Sequence, residues 1–131
     1  MTAFRILIVE DEILIADSIK RYLAQKGHQV VGIAISYEEA VHLYHQKKPD
    51  LCVLDIRLNG IRNGIDFAHF LREQISSIPF IFLTSQVDQR NLTAAKETFP
   101  AGYLSKPIQR ESLWATIEIA MHHYLEQSKS P

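Results

Sequence analysis

The chain has 131 residues, 47% of them hydrophobic and 22% charged, the mixture of one folded globular domain rather than a disordered segment. Its 14 basic and 15 acidic side chains leave a formal net charge of −1, so no global basic field exists to hold nucleic acid. The single cysteine, Cys52, excludes an intramolecular disulfide and a thiolate metal cluster, and no apolar run has the length of a membrane span. The first residues lack a signal-peptide pattern, so the cytoplasm is the expected compartment, with neither membrane nor nucleic acid as a direct partner.

The chain alternates two periodicities. Residues 4–9 are a short β-branched apolar run that ends in acid, Glu10-Asp11-Glu12. Ile15, Ile19, Tyr22 and Leu23 then fall on one face of a helix, which Gly27 stops. Residues 30–34 predict a second strand. Ser36, with Glu39 three residues on, predicts a capped helix to about Lys48, ended by Pro49. Residues 51–54 form a third strand that terminates at Asp55. A loop with Asn59, Gly60, Asn63 and Gly64 leads to a helix from about Ile65, carrying Phe67, Ala68 and Leu71 inward. Residues 79–83 predict a fourth strand ending at Thr84. Asp88 is the expected cap of a short helix to about Thr98. Residues 102–104 give a brief fifth strand before Ser105-Lys106-Pro107, and the last helix covers about 109–126. Its inward stripe is Leu113, Ile117, Ala120, Met121 and Tyr124. Residues 127–131 read as a tail or the start of a linker.

Five strand–helix units in a row imply an α/β fold: a doubly wound parallel sheet with helices on both faces. The near-continuous apolar strands fit burial on two sides. In such a sheet, ligands bind beyond the carboxyl ends of the strands. Those ends carry Glu10-Asp11, Asp55, Thr84 and Lys106. Clustered carboxylates repel, and a hard divalent cation is the natural remedy; Mg²⁺ fits because it takes one or two carboxylates and shares a phosphoryl oxygen. Carboxylates, a cation, an ammonium and a hydroxyl together describe a phosphoryl-transfer site, with one carboxylate as the nucleophile. His42 and His45, three apart on one helix, have no evident third ligand and are read as a solvated face. Cys52, inside an apolar strand, is read as core.

At this point the sequence resembles the response-regulator receiver domains of two-component signalling. The resemblance covers about residues 4–126. It rests on four segments in order: Ile6-Leu7-Ile8-Val9-Glu10-Asp11-Glu12, Leu54-Asp55-Ile56, Leu83-Thr84-Ser85 and Gly102-Tyr103-Leu104-Ser105-Lys106-Pro107. It implies a five-stranded sheet in the order 2-1-3-4-5 with Asp55 as phosphoacceptor. By the same resemblance Asp11 binds Mg²⁺ directly, Glu10 assists through water, and Asp55 and the Arg57 backbone carbonyl complete the protein ligands. Lys106 and Thr84 contact the phosphoryl group, Tyr103 is a rotamer switch, and the peptide before Pro107 is cis. The implied partners are a sensor histidine kinase or phosphotransfer protein, and a homodimer through the fourth helix, fifth strand and fifth helix. The implied activity is a signalling switch rather than a turnover enzyme.

Two features depart from the commoner pattern. The acid pair is Glu10-Asp11 rather than two aspartates, and the loop after Asp55 has no proline and runs one residue longer. Arg57, two residues past the acceptor, is a candidate for controlling access of the hydrolytic water. Trp114, one position off the inward stripe of the last helix, is a candidate for a dimer or partner surface. Two other readings stay open: an excised receiver of a longer DNA-binding regulator, for example of the LytTR type, and a phosphorylation-independent pseudo-receiver. A haloacid-dehalogenase-like phosphohydrolase fits less well, since such enzymes usually carry a second aspartate where this chain has Arg57.

Overall fold

A computed structural model describes residues 3–85 and 89–128, with the backbone alone for Gln89, Arg90 and Ser128. Asp88, the expected cap, lies outside the described residues. The elements in order are β1 (Arg5–Val9), α1 (Ile13–Gln25), β2 (Gln29–Ala34), α2 (Tyr37–Lys47), β3 (Leu51–Asp55), α3 (Gly64–Glu73), β4 (Phe80–Thr84), α4 (Gln89–Lys96), β5 (Gly102–Ser105) and α5 (Arg110–Ser128). The strands form one parallel sheet in the order β2-β1-β3-β4-β5, as the resemblance implied.

Alternate residues of each strand go to opposite faces, and each face has its own core. Ile6, Ile8, Leu51, Val53, Ile81 and Leu83 pack under α1 and α5, against Ile19, Leu23, Leu113 and Ile117. Leu7, Val9, Cys52, Leu54, Phe80 and Phe82 pack under α2, α3 and α4, against Ala40, Phe67, Leu71 and Ala95. All five residues of β3 are buried, which explains why its sequence shows no polar alternation. Truncating a side chain such as Leu54 to alanine there costs about 2–5 kcal/mol.

The helix ends follow local chemistry. Gly27 takes φ +87 just past α1, a left-handed conformation that glycine adopts without a Cβ clash. The Ser36 hydroxyl accepts from the Glu39 N–H at 3.2 Å. The Glu39 carboxylate reaches one residue further back than a capping box requires, to the Ile35 N–H at 3.2 Å. The reciprocal box occurs instead at α3: Asn63 accepts from the Ile65 and Asp66 N–H groups, and Asp66 accepts from the Asn63 N–H. At the far end of the chain, α5 continues through Gln127 and Ser128, two residues beyond the expected boundary.

Trp114 is half-buried against α1. Its indole N–H donates to the Tyr22 carbonyl at 2.7 Å, and the Lys26 ammonium and Arg110 guanidinium lie 5.1 and 5.0 Å from its ring. This contact ties α5 to α1 and accounts for the ring's place one position off the inward stripe. His45 packs edge-on to Phe70, with ring centroids 5.6 Å apart, in an aromatic cluster between α2 and α3.

Candidate functional site

Four strand ends assemble the site. β1 delivers Glu10 and Asp11, β3 delivers Asp55 as its last residue, β4 ends at Thr84, and β5 leads directly into Lys106. Parallel register aligns these ends: Asp55 pairs with Leu83 across β3 and β4, and Thr84 pairs with Ser105 across β4 and β5. The Lys106 N–H donates to the Thr84 carbonyl at 2.8 Å, which extends the ladder by one residue before the cis Lys106–Pro107 peptide.

The Lys106 side chain crosses the sheet edge to the acids. Its Nζ lies 2.8 Å from Asp55 Oδ2, 2.9 Å from Glu10 Oε1 and 3.8 Å from Glu12 Oε1. The contact with Asp55 is a directed, charge-assisted hydrogen bond. The contact with Glu10 is an ion pair without that alignment, so Glu10 Oε1 is buried and holds no hydrogen bond. The other Asp55 oxygen accepts from the Arg57 N–H at 3.0 Å, and Glu10 Oε2 accepts from the Glu12 N–H at 3.1 Å. Asp11 Oδ2 accepts from the Asn59 N–H at 3.1 Å, which ties the loop after β3 to the loop after β1.

Charge and burial compete here. Burial pushes the Glu10 carboxyl up to about 7, and the Asp55 charge adds to that rise against the pull of Lys106. Burial also works against the Lys106 ammonium, but its close contacts with the Asp55 and Glu10 carboxylates outweigh it and hold the group above the ordinary lysine range. The site is therefore short of positive charge, and one ammonium is shared among three carboxylates.

A cation fits that deficit. Glu10, Asp11 and Asp55 each offer an oxygen, and the three lie within 4.8 Å of one another. Oxygens coordinated to one octahedral Mg²⁺ are about 3 Å apart, so a small contraction brings this set into its first or second shell. The unbonded Glu10 oxygen supplies a lone pair for that purpose. Arg57 contributes its N–H to Asp55 and lines, with Asn59 and Lys106, a cavity of about 640 Å³ over the carboxylates.

Tyr103 sits one register pair away from the cluster. It stands opposite Phe82 on β4, their rings stacked at 6.0 Å, and is 36% exposed. Two further residues shape the site. Glu12 reaches towards Lys106, and Gly64 holds the loop: a Cβ there would lie 1.8 Å from the Asp55 carbonyl oxygen. The pattern Asn63-Gly64 with Asp66 carried the signal for this helix start, since a cap followed by glycine allows α3 to approach the β3 exit.

The sequence pattern of the response regulator receiver domain matches residues 6–118. The chain belongs to that family. It is 33% identical over 122 residues to the transcriptional regulatory protein PdtaR of Mycobacterium tuberculosis, covering 93% of this chain and 58% of that protein. It is 36% identical over 121 residues to the phosphate regulon transcriptional regulatory protein PhoB of Escherichia coli, covering 91% and 52%. The receiver thus spans a little over half the length of these relatives. Among solved structures, the signal receiver domain of a modulated diguanylate cyclase from Desulfovibrio desulfuricans superposes with a TM-score of 0.90 at 34% identity, covering 96% of this chain and 99% of that one. The response regulator PhyR of Brucella abortus superposes at 0.85 with 33% identity, covering 97% and 51%. The receiver has no helix among its described residues long and apolar enough to cross a membrane.

Proposed function

We propose that this receiver accepts a phosphoryl group on Asp55 from a phosphohistidine of a sensor kinase or phosphotransfer protein. The observation that carries the reading is the shared ammonium: Lys106 bridges Asp55 and Glu10 at the open end of the sheet. A lone pair of the Asp55 carboxylate forms the new O–P bond while the P–N bond breaks, and its electrons leave on the imidazole nitrogen. The Arg57 N–H holds the acceptor's Oδ1 and Lys106 its Oδ2, so the carboxylate is oriented before the donor arrives. Asp11, Glu10, Asp55 and the Arg57 carbonyl are the proposed ligands of Mg²⁺, which when bound neutralises charge on the phosphoryl oxygens.

The phosphoryl adds close to two negative charges beside Asp55. Lys106 transfers its ion pair to the phosphoryl oxygens, and the Thr84 hydroxyl donates to one of them. Tyr103, stacked on Phe82, moves with Thr84 and changes the surface of α4, β5 and α5. That surface then selects a partner or a second copy, as a shift between two packings. The receiver acts as a switch, and water cleaves the aspartyl phosphate to reset it.

The test is the intact mass after incubation with acetyl phosphate and Mg²⁺. Wild type gains one hydroxylamine-labile phosphoryl group, and Asp55→Asn gains none. Absence of the gain with acetyl phosphate and with a cognate kinase identifies a receiver that works without phosphorylation.

A further inference from the structure

The carboxylates around Lys106 are not equivalent. Glu10 and Asp55 are buried, whereas the Glu12 side chain is 65% exposed and its Oε1 lies 3.8 Å from the Lys106 Nζ. Glu12 stands in the wall of the cavity through which Asp55 is reached. It occupies the N-cap of α1, where a side-chain oxygen ordinarily accepts from first-turn N–H groups, but its carboxylate makes no such bond. The backbone of Glu12 does the local work: its N–H donates to Glu10 Oε2 at 3.1 Å, and its carbonyl accepts from the Ala16 N–H at 3.0 Å.

Glu12 is also outside the set that a cation would gather. Glu10, Asp11 and Asp55 offer oxygens within 4.8 Å of one another, and Glu12 is not among them. The charges of one Mg²⁺ and of Lys106 balance Glu10, Asp11 and Asp55 when all three are ionised, so the charge of Glu12 is left over. It faces any donor that approaches Asp55, and like charges repel across a cavity mouth.

We propose that Glu12 is a specificity-determining residue of the phosphoryl transfer. Its uncompensated charge disfavours free dianionic phosphodonors and favours donors that carry a positive charge beside the phosphoryl group. The inference rests on Asp55 as the phosphoacceptor.

Two small donors that transfer the same group separate charge from geometry. Acetyl phosphate is a dianion at pH 7; the ammonium of phosphoramidate leaves that donor with one net negative charge. With the first, the Asp55 O–P bond forms as the P–O bond to acetate breaks; with the second, it forms as the P–N bond breaks and ammonia leaves. Gain of phosphoryl mass is followed for wild type, Glu12→Gln and Glu12→Lys at saturating Mg²⁺, in low salt and in about 1 M KCl. In low salt Glu12→Gln is expected to raise the acetyl phosphate rate constant roughly threefold and Glu12→Lys roughly tenfold, with the phosphoramidate gains about the square root of these. The high salt removes most of each gain. The proposal is overturned if both variants keep the wild-type acetyl phosphate rate. It is overturned equally if the two donors accelerate alike or the gains survive high salt, which marks an effect through the placement of Lys106. No phosphoryl gain by wild type from either donor removes the phosphoacceptor reading itself, and this proposal with it.

Discussion

Gly64 stands against the backbone of Asp55 so closely that a methyl group on its Cα would lie 1.8 Å from the Asp55 carbonyl oxygen and 2.8 Å from its carbonyl carbon. The contact joins the start of α3 to the last residue of β3, and the Gly64 N–H donates to the neighbouring Ile56 carbonyl at 2.9 Å. Both atoms that a Cβ would strike are main-chain, so no rotamer change relieves the overlap. Gly64→Ala therefore displaces either α3 or the acceptor. The expected cost is about 2–4 kcal/mol in urea unfolding, together with slower gain of a phosphoryl group from acetyl phosphate. An alanine variant with wild-type stability and phosphorylation rate would show that the helix start shifts freely.

Lys106 is shared between two buried carboxylates, Glu10 and Asp55. Replacing it by alanine leaves Glu10 and Asp55 facing each other with no ammonium between them. Stability is expected to fall by about 1–3 kcal/mol, because groups that were paired inside the protein become unsatisfied. Millimolar Mg²⁺ then restores part of the loss and stabilises the variant more than wild type, since the cation takes over the missing charge. Urea midpoints for both proteins, with and without Mg²⁺, check this; equal Mg²⁺ effects on the two would contradict it.

His28 gives a pH dependence of known sign. Its Nδ1 accepts from the Phe4 N–H at 3.1 Å, so the folded state requires a neutral ring at that nitrogen. Burial, with the Lys26 charge, holds its pKa below 6.5. The unfolded chain therefore binds the proton more readily. The stabilising contribution is present above about pH 6.5 and is lost as pH falls through the lower folded value. Glu10, its carboxyl pushed up to about 7, changes stability in the opposite direction over the same range. The His28 contribution is therefore read from the difference between wild type and His28→Asn, which keeps an acceptor and cannot titrate: the stability advantage of wild type over the variant is expected to shrink as thermal unfolding is followed from pH 7.5 to 5.

Trp114 is expected to act on stability rather than association. Trp114→Phe keeps a ring between Lys26 and Arg110 but removes the indole donor from the Tyr22 carbonyl. The loss is about 1–2 kcal/mol, with unchanged mass in light scattering. A changed oligomeric state with unaltered stability would reverse the assignment.

The sheet order and most element boundaries were legible because hydrophobic period and helix stops are local signals. Gly27 and Pro49 end their helices where expected, and the acids after β1 and at the end of β3 lie close to Lys106 after β5. What was not legible depends on distances between elements. The period of α5 locates Trp114 off the inward stripe, but only the position of α1 shows what covers it. The Asn63 cap had its signal in Asp66 three residues on but shared its loop with other turn-forming residues, and the need for glycine at 64 arises from where β3 places the Asp55 carbonyl. Likewise, Glu12 belongs to the Lys106 cluster through the turn after β1, which no spacing in the sequence reveals.

β5 is a four-residue strand at the open edge of the sheet, and proline flanks it on both sides, at Pro100 and Pro107. Neither proline offers an N–H, so a visiting strand would meet missing donors just beyond either end of a very short ladder. The edge that carries Tyr103 and leads to Lys106 is thus a poor template for sheet extension, a built-in safeguard against chains stacking strand to strand. A partner that reads this edge must do so through side chains, the part of the surface that the proposed switch moves, rather than through backbone pairing.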